Sequence, residues 1–340
     1  MEFGAVVLIP AEQPTEIKAS CGDFSARARG GEITRPMCSP RTPILGNDAL
    51  HLWMDRVRMA GVGGLWLASD SHDWRSLGSR IADLTRQGIE RLLLIKLKAY
   101  AEMDLTDLLR FHSEKRSPIT DAQDARGSLG VRMLSHSALN RSDDVSGWLC
   151  SLDERPTTRY EFRGYTKRLL SSQERQDLVR DALTGGCAMK PVGQQIRDQV
   201  WIGEDVVLDD SVRIVGPAYI GPRTVVCPGA TIGPFTSVEQ DCVIGHGTAI
   251  ERSSVLPSTD LAPGLSIQQS LVDGSCLENL RWQTVVDLAP AGLARRISHT
   301  AFSGGVARAR SAAKRANTSD RNQAAGSKPS NPASWVRVQL

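Results

Sequence analysis

The chain has 340 residues, of which 41% are hydrophobic and 23% charged, and its formal net charge is +3. That is apolar matter enough for real cores, and the length predicts two domains plus tails. No stretch approaches the roughly 18 apolar residues of a membrane-spanning helix. Met1-Glu2-Phe3 carries no basic region, and the apolar run Ala5–Ile9 is too short for a secretory signal. Seven cysteines without a CxxC pair argue against a disulfide scaffold or a cysteine zinc site, so a reducing, cytoplasmic setting is expected.

Gly4–Pro10 reads as a buried strand, and residues 11–40 are polar and irregular. Asp48–Ala60 reads as an amphipathic helix with Leu52, Trp53, Val57 and Ala60 on one face, capped by Asn47 or Asp48 and ended by Gly61. Gly64–Ala68 is a second strand, 74–87 a second helix with Leu77, Ile81 and Leu84 at helical spacing, Arg91–Ile95 a third strand and Asp104–Lys115 a third helix. This alternation predicts a parallel sheet in an α/β layer over residues 1–140. Residues 141–193 are expected to form a connector. It contains the Arg- and Tyr-bearing stretch Arg155–Tyr165, whose side chains either grip an anion or form a plain solvated surface. A helix follows at Ser172–Leu183, stopped by Gly185-Gly186.

An aliphatic residue then stands at every sixth position: Ile196, Ile202, Leu208, Ile214, Ile220, Val226, Ile232, Val238, Ile244, Ile250 and Leu256. The position four later is small or short, as at Ala218, Thr224, Ala230, Thr236, Cys242 and Thr248. Gly follows the aliphatic residue at 203, 221, 233 and 245, which suggests backbone freedom at a turn. A period of six fits short strands wound around a three-sided prism with the aliphatic residue inward. After Leu256 the phase shifts, and Pro257, Pro263 and Gly264 predict a loop or an irregular coil. From Ser303 to Leu340 seven Lys or Arg face one acid, Asp320, in a segment poor in aliphatics. A basic disordered tail at 303–340 is expected, with nucleic acid or anionic lipid as its conceivable contacts.

The repeat resembles the hexapeptide-repeat family of left-handed parallel β-helices over 194–290; the handedness is the resemblance's implication. The strand–helix order followed by such a repeat resembles the sugar nucleotidyltransferases, the nucleoside-diphosphate-sugar pyrophosphorylases such as mannose-1-phosphate guanylyltransferase. These join a sugar-1-phosphate to a nucleoside triphosphate with Mg²⁺. The likeness rests on Ala5-Val-Val-Leu, on Arg41-Thr-Pro-Ile-Leu with Ala60-Gly61-Val62 after the helix, and on Met103–Lys115. It implies a truncated Rossmann-like nucleotidyltransferase-type domain.

The departures bear on activity. The family's Gly-rich phosphate loop is replaced by Pro10-Ala-Glu-Gln-Pro-Thr-Glu16, with two carboxylates where phosphate would sit. The family's lysine falls on Arg41, and its Asn-Gly-Asp falls on Lys96-Leu97-Lys98, which puts an ammonium where a Mg²⁺ carboxylate belongs. Arg41, Lys96 and Lys98 are thus candidates for holding a sugar phosphate or nucleotide sugar, and Glu102 or Asp104 the conceivable replacement carboxylates. Hexapeptide acyltransferases use a histidine as general base; His246 is the one histidine of the repeat, and it stands at a variable turn position. One histidine excludes the three-histidine zinc site of the β-helix carbonic anhydrases. No metal site is expected, and Mg²⁺ enters only if nucleotidyl transfer survives. The expected function is a catalytically impaired nucleotidyltransferase-like protein of sugar-nucleotide or polysaccharide metabolism, acting as a binding, regulatory or assembly module and forming a homo-oligomer through the β-helix. An active nucleotidyltransferase with rearranged ligands, an acyltransferase using His246 and a purely structural β-helix protein stay open.

Overall fold

The computed structural model of the protein describes residues 3–8, 42–61, 64–68, 83, 86, 88–138, 155–297 and 336–337. Arg41, the Pro10–Glu16 loop and nearly all of the basic tail lie outside them, and of the helix expected at 74–87 only Asp83 and Arg86 are described, both helical. The chain forms two compact units. One comprises the first strand and Asp48–Ser171; the other comprises Thr42–Asn47 and the chain from Ser172 onward. The division falls at Ser171/Ser172, inside the stretch 141–193.

The first unit runs β1 (Phe3–Leu8), α1 (Ala49–Met59), β2 (Gly64–Ala68), β3 (Arg91–Lys96), β4 (Ala99–Ala101), α2 (Leu105–Lys115), β5 (Ile119–Asp124), β6 (Gly127–Ser135), β7 (Thr158–Glu161) and β8 (Thr166–Arg168). Its main sheet has the order β2-β1-β3-β6-β5-β7. The three strands read from sequence pair in parallel as expected. The rest corrects the prediction of a parallel sheet: β6 is antiparallel to both β3 and β5, and β7 is parallel to β5. The cause is local. Only Ala125 and Arg126 separate β5 from β6, and so short a link can join strands only as an antiparallel hairpin. Gly127, at φ +113, adopts the backbone that closes it. A small second sheet pairs β4 with β8.

The helices form for the expected reasons. The Asp48 carboxylate accepts the Leu50 amide at 2.9 Å, and α1 buries Trp53 and Val57. The indole N–H of Trp53 donates to the Ala99 carbonyl. The core gathers these residues with Leu93, Ile95, Leu97, Leu108, Val131 and Met133. His112 of α2 is buried between the Thr120 and Ser135 hydroxyls, at 2.8 and 2.9 Å. Burial and the nearby Arg91 push its pKa down to about 4, so the imidazole is neutral.

The second unit is a parallel β-solenoid of three sheets, with α3 (Ser172–Thr184) packed against it. One face stacks 200–202, 218–220, 236–238, 254–255 and 270–273. The second stacks 207–208, 225–226, 243–244 and 259–261, the third 213–214, 231–232, 249–251 and 266–268. The aliphatic ladder fills the interior, from Ile202 to Ile267. The small positions tie coil to coil: the hydroxyls of Thr224, Thr236 and Thr248, all fully buried, donate to the carbonyls of Glu239, Ile250 and Ala262.

Four details of the repeat differ from its sequence reading. Ile196 is not inside a coil: it lies on Gln194–Arg197, which runs antiparallel to 200–202, and it is 39% exposed. The ladder does not reach Leu256. Register pairs Ile202 with Ile220 and Ile220 with Val238, a coil of eighteen, but Val238 with Val255 and Val255 with Val272, a coil of seventeen. One residue has been lost from the side between Ile250 and Val255. The stretch after Leu256 is therefore a regular coil in a new phase, with strands at 259–261 and 266–268. The glycines after the aliphatic residue serve close approach at all four positions: a Cβ would stand 2.5 Å from Pro222 N at Gly203, 2.6 Å from Gln240 N at Gly221 and 2.5 Å from Ala262 C at Gly245, and at Gly233 it would collide with Val215 O. Of these only Gly233 has positive φ, at +102; left-handed backbone also falls at one corner on Asp205, Arg223, Asp241 and Ser258, at another on Phe235, Arg252 and Gln269.

The solenoid also covers several of its own edges. Cys276–Asn279 and Thr284–Asp287 continue the first face antiparallel, and Ala294–Arg296 pairs antiparallel with 259–261. Such strands remove the free backbone groups that invite association at open ends.

Candidate functional site

At the carboxyl end of β3 the chain turns sharply, with the Lys98 amide donating to the Lys96 carbonyl at 2.6 Å. Leu97 between them is buried, Lys96 half-buried and Lys98 exposed. Both lysines flank Gly130 of β6: a Cβ there would lie 3.3 Å from that of Lys96 and 3.4 Å from that of Lys98. Asp104 is a helix cap. Its Oδ1 accepts both the amide and the hydroxyl of Thr106, and these bonds hold the carboxyl below its usual range. Glu102 accepts the Tyr100 hydroxyl at 3.1 Å. A groove of about 390 Å³ takes in Arg56, Met59, Ala60 and the run Glu102–Thr106, but neither lysine. Arg56 lies over the rings of Trp53 and Tyr100, at 5.6 and 5.1 Å.

These residues do not fit Mg²⁺. A hard cation requires several free oxygens, whereas the end of β3 presents ammonium groups and the Asp104 carboxylate already satisfies the first turn of α2. Among the described residues no group of three or more His, Cys, Asp or Glu is placed to hold a metal. The stretch Arg155–Tyr165 is likewise bound into the fold. Arg159 donates to the Asp124 carbonyl, Arg163 pairs with Glu161, and Tyr165 meets Tyr100 edge to face. Arg168 joins the Asp124 carboxylate at 2.6 Å.

His246 stands exposed at a corner of the solenoid. Its backbone carbonyl accepts the Gly264 amide, and no carboxylate among the described residues orients its ring, which a histidine base ordinarily has. Burial pushes the thiol of Cys227 up to about 11 and that of Cys242 higher still, so both pack as thiols.

Two arrangements in the second unit escaped the sequence reading. The first is a buried clasp. Glu239 is 1% exposed, and its two oxygens accept the amides of Leu45 and Gly46 at 2.8 and 3.0 Å. Arg175 of α3 donates to the carbonyls of Thr42 and Pro43, which fixes the same segment from its other side. Burial pushes the Glu239 carboxyl up to about 7, against the opposing pull of Arg175 and the two amides. The Tyr219 hydroxyl, beside Glu239, is buried without a hydrogen-bond partner among the described residues. The second arrangement is a groove of about 420 Å³ between α3 and the solenoid corner at Phe235, Arg252 and Gln269. Neither has a sequence signature, since both join residues far apart in the chain.

Residues 199–234 match the family model described as bacterial transferase hexapeptide (six repeats). No curated protein matches the chain. Among solved structures the chain is similar to HddC from Yersinia pseudotuberculosis complexed with GMP-PN, at 13% identity and a TM-score of 0.36, covering 52% of this chain and 97% of that one. A second structure of HddC from the same organism gives 14% identity and a TM-score of 0.34 over the same shares.

Proposed function

We propose that the protein is a nucleotidyltransferase-like member of sugar-nucleotide or polysaccharide metabolism, acting in the cytoplasm, whose first unit no longer transfers nucleotides and whose solenoid serves binding and assembly in a homo-oligomer. The observation that carries this reading is the carboxyl end of β3. Lys96 and Lys98 stand there around Gly130, and of the two candidate replacement carboxylates Asp104 is held by Thr106 and Glu102 accepts the Tyr100 hydroxyl. Nucleotidyl transfer needs a cation to neutralise charge building on the phosphates. Two lysines can hold an anion, but they cannot position a metal between phosphate oxygens. The order of strands and helices in β1–α2 followed by hexapeptide coils supports the lineage.

The test is pyrophosphate release with Mg²⁺, a panel of nucleoside triphosphates and a panel of sugar-1-phosphates. No turnover is expected, together with weak binding of sugar phosphate that is lost in Lys96→Gln/Lys98→Gln. Turnover that vanishes in Asp104→Asn, a variant that keeps the cap, would restore the active-transferase reading.

A further inference from the structure

The groove between α3 and the solenoid has the size and the chemistry of a small-ligand site. Its volume of about 420 Å³ lies within the range of known ligand pockets, roughly 300–1,000 Å³. One wall is a stack of equivalent corner positions. Phe235, Arg252 and Gln269 follow one another seventeen residues apart on successive coils, all with left-handed backbone, at φ +53, +49 and +45. The Arg252 amide donates to Pro234 O and the Gln269 amide to Glu251 O, which locks each corner onto the coil before it. Left-handed backbone is disfavoured for bulky residues, and the equivalent turn on a third side of the prism uses glycine, at Gly229, Gly247 and Gly264. Here it instead displays a phenyl ring, a guanidinium and a carboxamide on one line. The opposite wall is α3, held rigidly because the buried Gln176 donates to Phe235 O at 3.0 Å and accepts the Ser254 hydroxyl at 2.5 Å. Leu280 and Arg281 also line the groove.

Three guanidinium groups line this space. Arg180 is neutralised on α3 by Asp177 and Asp181, and Arg252 has a loose contact with Glu251 at 3.5 Å. Arg281 has no carboxylate within ion-pair distance among the described residues; its guanidinium lies over the exposed ring of Trp282 at 5.0 Å. A planar guanidinium without a carboxylate, held by a ring, is suited to bidentate capture of phosphate. Gln269, with the amide of Gln173 across the groove, provides donors and acceptors for hydroxyl groups, while Phe235 and Leu280 can cover a carbon skeleton. We propose that this groove binds a small phosphorylated polyol, a sugar phosphate, with its phosphate on Arg281 and Arg252 and its hydroxyls on Gln269 and Gln173. The site consists wholly of second-unit residues, so it does not depend on the reading of the first unit.

The test is calorimetric titration of the full chain with a hexose phosphate, the unphosphorylated hexose and inorganic phosphate, with Trp282 fluorescence followed in parallel. The expected result is saturable binding of the hexose phosphate, weakened about tenfold in each of Arg281→Gln and Arg252→Gln. Lys96→Gln/Lys98→Gln should remove only the weak first-unit component and leave the Trp282-reported binding in place, and Trp282→Phe should abolish the optical signal but not the heat. Both arginines are exposed, so these variants should fold, and circular dichroism checks that they do. Inorganic phosphate binding as tightly as the ester would overturn the polyol assignment. Absence of binding by the folded chain would overturn the site. Binding lost in the lysine variant but kept in Arg281→Gln would overturn it too, while supporting an anion site in the first unit.

Discussion

Glu239→Gln tests whether the clasp on Thr42–Asn47 holds a buried proton. In the folded unit the carboxyl titrates at about 7, against an ordinary value of 4.5, because burial disfavours the charged form more than Arg175 and two amides favour it. The sign follows from linkage. A carboxyl whose folded pKa is raised contributes stability that is fully present below pH 4.5 and is lost as pH rises through about 7. A shift of 2.5 units, from 4.5 to 7, corresponds to about 3 kcal/mol. Glutamine keeps the shape and one acceptor but cannot titrate, and its NH₂ opposes one of the two amide donors, a fault of about 1–3 kcal/mol at every pH. Urea unfolding of wild type and variant from pH 4.5 to 8, followed by a probe in the second unit, should show the wild type losing about 3 kcal/mol relative to the variant as pH rises. The curves should approach or cross near neutrality. Parallel profiles, or a wild type that gains on the variant with rising pH, would mean that Arg175 and the amides outweigh desolvation, and the reasoning would be wrong.

The first unit should answer pH in the opposite sense. His112 is held neutral with a pKa of about 4 against 6.5, so its contribution is lost as pH falls from 6.5 towards 4, and His112→Gln should flatten the acid limb of a first-unit unfolding curve. Gly221→Ala places a Cβ 2.6 Å from the Gln240 amide nitrogen of the next coil; a loss of about 1–3 kcal/mol is expected in denaturant unfolding, and a neutral result would show that the coils separate easily. Asp104→Ala should lower stability by about 1 kcal/mol while Asp104→Asn, which also caps, should not. His246→Ala should change thermal stability by less than about 0.5 kcal/mol.

Much of the architecture was written in the sequence, for identifiable reasons. The aliphatic period of six is a statement about a core, and cores demand regularity, so Ile202 to Ile250 could be read directly. The cap at Asp48 is local chemistry and was equally readable, whereas Asp104, read as a conceivable metal carboxylate, is a cap as well. β5 was not: Ile-Thr-Asp-Ala-Gln-Asp carries no strand-like run of apolar residues. Asp121 and Asp124 are nonetheless buried there because Arg132 and Arg168 meet them from elsewhere in the fold. The clasp was invisible for the same reason, since Glu239 follows Val238 as an unremarkable residue after a core position and gains meaning only when residues 45 and 46 arrive across the fold.

The one-residue loss between Ile250 and Val255 connects the two levels. Sequence registered it as a phase shift after Leu256, whereas in the fold it is a shortening of one side of the prism, repeated in the next coil from Ile267 to Val272. A shortened side that recurs in two coils while the other sides keep six residues is a feature of the corner, not a decay of the repeat. That corner carries Arg252 and Gln269, the residues facing α3 across the groove. The repeat constrains what points inward and leaves its corners free to vary, so a solenoid can gain a ligand site only where corner side chains line up. The break in the period and the corner stack of Phe235, Arg252 and Gln269 coincide on the face covered by α3. Restoring the eighteenth residue, by inserting one glycine after Arg252, should leave the aliphatic ladder intact and shift Arg252 out of line with Phe235. If sugar-phosphate binding survives that insertion unchanged, the corner stack is not what shapes the groove.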